Sequence, residues 1–135
     1  MGPEEFNQIG AGRFPGWLGI EIRVVSAGRI EARLSVEDHH LAPNGYLHAA
    51  TVVGLADTAC GYGSRSNLPE GASGFTTIEL KANFMGTAVE GELACTARLV
   101  HGGRTTQVWD ADVTDAVTGK QLAAFRCTQM ILWPR

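Results

Sequence analysis

Leu18, Ile20, Ile22 and Val24 alternate with Gly19, Glu21 and Arg23, and this period of two predicts a strand over 17–25. Ala27-Gly28 supplies a turn, after which Ile30, Ala32, Leu34 and Val36 alternate with charged and small residues. The two runs read as a hairpin. Residues 39–46 read as a loop punctuated by Pro43-Asn44-Gly45, and 47–66 as the one long helix. Its Thr51, Val52, Val53 and glycines are poor helix formers, so burial has to hold it. Four further strands are predicted over 74–84, 92–100, 105–114 and 121–132. In the third, Trp109, Ala111 and Val113 alternate with Asp110, Asp112 and Thr114. A short helix over 4–11 behind Pro3 precedes them all. Two strands, a long helix and four strands imply an α+β fold, a curved antiparallel sheet of five to six strands wrapping one central helix.

Length and charge narrow the picture. The 135 residues are expected to form a single domain over 1–135. A formal net charge of -3 argues against a nucleic-acid partner, which calls for a basic face. No apolar run approaches the ~18 residues of a membrane span. The sequence Met-Gly-Pro-Glu-Glu-Phe lacks the basic and then apolar character of a secretory signal, so a cytoplasmic location is expected. Cys60, Cys95 and Cys127 are odd in number and sit in apolar patterns, as buried free thiols do. His39-His40 has no third ligand at metal spacing, so no metal site is expected.

Asp57 stands out chemically. It is the only acidic or basic side chain, histidine aside, between Asp38 and Arg65, within a run of Ala, Gly, Val, Leu, Thr and Cys. A lone carboxylate in a closely packed helix is costly unless it is hydrogen-bonded, paired or used in chemistry.

The strand order, the His48 junction between loop and helix, and Leu55-Ala56-Asp57-Thr58-Ala59 resemble the hotdog-fold acyl-CoA thioesterases. The likeness is to the PaaI-like group, relatives of the phenylacetate-pathway and 4-hydroxybenzoyl-CoA enzymes. It runs from Trp17 onward and is densest over 44–84. The resemblance implies hydrolysis of an acyl-CoA, with coenzyme A as part of the substrate and no separate cofactor. It also implies a homodimer with sites at the interface, often a dimer of dimers and so a homotetramer. The family pattern His-Gly-Gly is here His48-Ala49-Ala50, and Ala42 stands where many members carry Asn or Gln. Ala49 would supply the oxyanion amide, and Thr77 would help position the attacking water; Asn44 either stands in for the missing loop amide or only makes the turn. Arg104 lies where relatives present basic residues to the coenzyme A phosphates, with Lys81, Arg98 and Arg126 as further cations.

A thioester carbonyl needs donors for its developing negative oxygen, and a carboxylate that attacks it or deprotonates water. The open amides and positive dipole end of the long helix suit the first role, and Asp57 the second. However, Ala49 and Asp57 are separated by about 12 Å at ~1.5 Å rise per residue, and His48 and Asp57 by about 180° around the axis. One helix cannot bring both to one carbonyl, whereas two antiparallel copies across a two-fold axis can. His48 reads either as a catalytic base or as a residue that fixes the loop. Gly45 belongs to the substrate-binding turn, and Tyr46 either lines the pocket or staples the helix start. Two other readings remain, a hotdog hydratase or dehydratase and a non-catalytic acyl-CoA binder. The small residues of the helix are compatible with either an aryl or a medium-chain acyl group.

Overall fold

A computed structural model describes residues 1–135. The elements in chain order are α1 (Pro3–Gly10), α2 (Phe14–Leu18), β1 (Ile20–Ser26), β2 (Arg29–Ser35), a 3-10 turn at Asp38–His40, α3 (Ala49–Ser66), β3 (Gly74–Phe84), β4 (Glu92–Gly102), β5 (Thr106–Asp115) and β6 (Gln121–Leu132). The six strands form one antiparallel sheet in the order β1-β2-β4-β5-β6-β3.

The sheet wraps α3 with its apolar face. Ile30, Ala32 and Leu34 of β2, Leu93, Cys95 and Ala97 of β4, and Trp109, Ala111 and Val113 of β5 are buried in one core with Leu55, Ala56, Ala59 and Cys60 of the helix. The period-two burial of β2 and β5 is the pattern their sequences predict. On the opposite face the strands carry cross-strand ion pairs, Arg98 with Asp112 at 2.7 Å and Arg33 with Glu92 at 3.0 Å. All three cysteines are free and buried. No helix is long and apolar enough to cross a membrane.

The fit between helix and sheet depends on small residues. A Cβ at Gly63 would stand 2.5 Å from Cη2 of Trp109, so only glycine lets the indole lie against the helix. That indole is fixed in turn, because its Nε1 donates to Gln107 Oε1 at 2.8 Å and Gln107 Nε2 donates to the carbonyl of Asn67 at 2.8 Å. The end of α3 is thus tied to β5.

The first alternating run is not all strand. Trp17 and Leu18 belong to α2, which Pro15 favours at its N-terminus and Gly19 ends in the left-handed region at φ 83°. Leu18 is buried as the period-two reading requires, but from a helix. A register shift between Ile22 and Val24 then turns Val24 outward, so it is exposed. Before β1, the side chain of Asn7 in α1 bonds both backbone groups of Ile22: its Oδ1 accepts from the amide at 2.8 Å and its Nδ2 donates to the carbonyl at 3.0 Å. At the other side of the sheet, β3 pairs only with β6, and Ile78, Leu80 and Phe84 along it are exposed.

Candidate active site

The start of α3 is built by the loop before it. The amide of Ala42 donates to the Tyr46 carbonyl at 2.7 Å, and Leu41 and Leu47 form an isolated antiparallel bridge. Gly45 takes φ 86°, a conformation other residues resist. Asn44 closes the turn through its side-chain oxygen, which accepts from the Tyr46 amide at 3.0 Å. Asn44, Gly45 and Tyr46 are all exposed, so the substrate-binding group predicted from sequence is a turn presented to solvent.

His48 is the N-cap of α3, and its Nδ1 accepts from the Ala50 amide at 2.9 Å. The imidazole therefore fills the place that Ser or Asp usually takes. With the Ala50 amide engaged and the Thr51 amide donating to the His48 carbonyl at 3.0 Å, the first helical amide, that of exposed Ala49, is the open donor at the positive end.

Behind this junction His40 holds the neighbouring segments. It is only 1% exposed, its Nδ1 accepts from the Glu37 amide at 2.9 Å, and its Nε2 contacts the Leu18 carbonyl at 2.7 Å. Accepting at Nδ1 requires the proton on Nε2, so the ring is neutral. Burial lowers its pKa below the usual histidine range, opposed by the Leu18 carbonyl; His39 lowers it and Glu37 raises it to a lesser extent. The Thr51 hydroxyl donates to the His40 carbonyl at 2.9 Å, which joins the helix to the same support.

Asp57 is half-buried, and burial raises its carboxyl above the ordinary aspartate range. Its Oδ1 is shielded from solvent and has no hydrogen-bond partner in the chain, as are the Ser64 hydroxyl and the Gln129 amide. Thr77 is the cross-strand neighbour of Gln129, so it stands on the helix-facing side of β3. Phe75, two residues earlier, has its ring 3.4 Å from where a Cβ at Gly61 would be, one turn beyond Asp57. Thr77 is nonetheless exposed, because β3 is an edge strand and no further strand of the same chain pairs with this margin of the sheet.

Arg104 is not brought to the helix start. It follows β4 at the sheet end where Gln107 meets Asn67, so nearly the whole ~27 Å of an 18-residue helix separates it from Ala49 within one chain. Its guanidinium lies 4.4 Å from the Trp133 ring centre, and Trp133 Nε1 donates to its carbonyl at 3.0 Å. Arg98 and Arg126 are engaged on the outer sheet face by Asp112 and Asp110, and only Lys81 of the further cations has no ion pair.

Two aromatic residues near the site escape the sequence reading. Phe14 and Trp17 on α2 are 56% and 62% exposed and, with His39, wall a cavity of about 200 Å³ that reaches His48, Ala50 and Thr51. The run from Phe14 to Gly19 carried the signal: Pro15 in the first turn and Gly19 just after the end mark a short helix rather than a strand.

Residues 44–121, more than half of the chain, match the Thioesterase superfamily. A 1,4-dihydroxy-2-naphthoyl-CoA hydrolase of Listeria monocytogenes is 35% identical over 111 residues, covering 82% of this chain and 89% of the relative. The Escherichia coli protein of the same name is 29% identical over 132 residues, 96% of this chain and 93% of its own. Among solved structures, a thioesterase from Haemophilus influenzae superimposes with a TM-score of 0.91 at 27% identity, covering 98% of this chain and 91% of that one. The Escherichia coli PaaI protein, 22% identical with a TM-score of 0.82 over 90% or more of both chains, shares the fold.

Proposed function

We propose that this chain, which belongs to the thioesterase superfamily, hydrolyses the thioester of an aryl- or medium-chain acyl-CoA at sites shared between two copies. The observation that carries the reading is Asp57: a half-buried carboxylate with an unpartnered oxygen and a pKa raised by burial, on a helix whose first amide is open. Two relatives named 1,4-dihydroxy-2-naphthoyl-CoA hydrolase put aromatic acyl groups first among the substrates to test.

The Ala49 amide of one copy donates to the carbonyl oxygen as it becomes negative, helped by the helix dipole. Asp57 of the other copy takes a proton from water while the water oxygen bonds to the carbonyl carbon, or its carboxylate makes that bond itself. The tetrahedral centre then collapses with cleavage of the carbon–sulfur bond. The electron pair leaves on sulfur, which gains a proton to give coenzyme A. The water route releases the acid directly, whereas direct attack leaves a mixed anhydride on Asp57 that a water molecule then hydrolyses to free acid and the regenerated carboxylate. In this reading Thr77 orients the water, a role supported by its register opposite Gln129 on the helix-facing side of β3. His48 acts by holding the helix start, since the nitrogen that would serve as a base is engaged by the Ala50 amide.

Two copies are required by the spacing along α3, and the open margin supports a pairing element. An eleven-residue strand with exposed Ile78, Leu80 and Phe84 is a surface that natural sheets cover. In solution the protein is then a dimer, and two dimers make the homotetramer; the chemistry itself uses no metal or redox cofactor and runs in the cytoplasm.

The direct test is thiol release from benzoyl-CoA and hexanoyl-CoA by wild type and Asp57→Asn. The variant should lose about 10²-fold or more in turnover while remaining folded. Wild-type activity should fall with acidification at a pH above the ordinary aspartate range, because the raised carboxyl must be ionised to act. Unchanged turnover in the variant removes Asp57 from the mechanism.

A further inference from the structure

We infer that Phe14, Trp17 and His39 form an aromatic cradle for the acyl group, which makes the enzyme selective for aryl over alkyl thioesters. The inference rests on the thioesterase reading and deepens it, because the cavity these residues wall opens beside the helix start that receives the carbonyl.

Trp17 is 62% exposed and Phe14 56%, and two neighbouring exposed aromatics make a contiguous apolar patch of the kind that marks a ligand groove. Their rings are stacked, with centroids 6.4 Å apart and planes 27° from parallel, so the pair offers aromatic faces on which a planar group can stack. The His39 ring closes one side at 5.2 Å from Trp17. Across the opening lie the His48 cap and Ala50, the residues flanking the open Ala49 amide. Both chain neighbours of Ala49 line this cavity, so the substituent of a carbonyl held by that amide lies next to it.

The lining carries no Lys, Arg, Asp or Glu. This suits the uncharged acyl end of the substrate and not the phosphate-bearing coenzyme A end. An aromatic wall gains most from a planar ring, which can stack, and least from an alkyl chain, which must lose rotamer freedom to lie on it.

The cradle is positioned by the fold. A Cβ at Gly54 of α3 would stand 2.7 Å from Leu18 Cδ1 and 3.1 Å from Phe14 Cε2, so glycine lets α2 close on the helix. His40, holding the Leu18 carbonyl, fixes the C-terminal end of α2.

The test compares kcat/KM for benzoyl-CoA and hexanoyl-CoA in wild type, Trp17→Ala and Trp17→Phe. Trp17→Ala should lower the benzoyl to hexanoyl ratio by about tenfold, and Trp17→Phe should restore most of it. A ratio that does not move overturns the cradle. So does a change of oligomeric state in Trp17→Ala, which would mean that a second copy covers the indole. If wild type cleaves neither ester, the thioesterase reading fails, and calorimetry with the inert thioethers S-benzyl-CoA and S-hexyl-CoA decides the cradle separately. Preferential weakening of S-benzyl-CoA in Trp17→Ala supports it, and equal weakening or none overturns it.

Discussion

If each site takes its amide from one copy and its carboxylate from the other, two inactive variants should make an active enzyme. The first variant is Asp57→Asn. The second is Ala49→Pro, which removes the open amide and little else. Proline is tolerated at the first position of a helix, and His48 before it already has φ -70° and ψ 135°, the extended conformation that a following proline demands. In a mixed dimer, the Asp57→Asn copy contributes its intact Ala49 and the Ala49→Pro copy its intact Asp57. One of the two sites is then whole and the other lacks both groups. Purified mixed dimers, carrying a different tag on each copy, should have about half the wild-type turnover per dimer. An unsorted equal mixture holds about half mixed dimers and should show about a quarter. Thiol release from benzoyl-CoA reads both values against the parent variants, each expected to be down by about 10²-fold or more. Mixed dimers no more active than their parents would refute the shared site, whatever the activity of the wild type.

Acid should unlock the support behind the helix start. Because the folded pKa of His40 lies below the ordinary value of 6.5, its contribution to stability is fully present above that pH and is lost as the pH falls toward the folded value. His40→Gln can still accept from Glu37 and donate to Leu18 without titrating, so its urea midpoint should drop less than wild type between pH 7.5 and 5.5; equal drops would refute the assignment. Gly63→Ala sets helix propensity, a gain of about 1 kcal/mol, against an indole that cannot retreat because Gln107 and Asn67 hold it. Overpacking at a cost of about 1–3 kcal/mol should win, and a net rise in urea stability would show that the indole moves freely.

Much of this fold is legible in residue order because each strand repeats its own burial. Trp109, Ala111 and Val113 face inward as their alternation with Asp110, Asp112 and Thr114 requires. Asp57 is legible for the opposite reason: it interrupts a pattern that otherwise excludes charge. What escapes is interaction between distant segments. Leu18 fits the period of the following strand yet is buried from a helix, so alternation alone carries β1 too far back. His40 looks like half of a paired histidine motif, while its main partner is a carbonyl 22 residues earlier. The His48 cap reaches only two residues ahead, but histidine is not among the residues that announce a helix start. Arg98 and Arg126 look free to meet phosphate until the register sets Asp112 and Asp110 beside them.

Asn7 bears on how many chains can join. A single side chain occupies both ladder positions of Ile22, where the next strand of a growing sheet would bind, and so acts as a chain terminator at that end. Growth is left to β3 alone. A ribbon that extends in both directions has no natural stop and risks becoming a fibre; one blocked on its left and sticky on its right is finished after a single addition. With the amide of one asparagine occupying this edge, any strand-to-strand pairing through β3 would close at two chains.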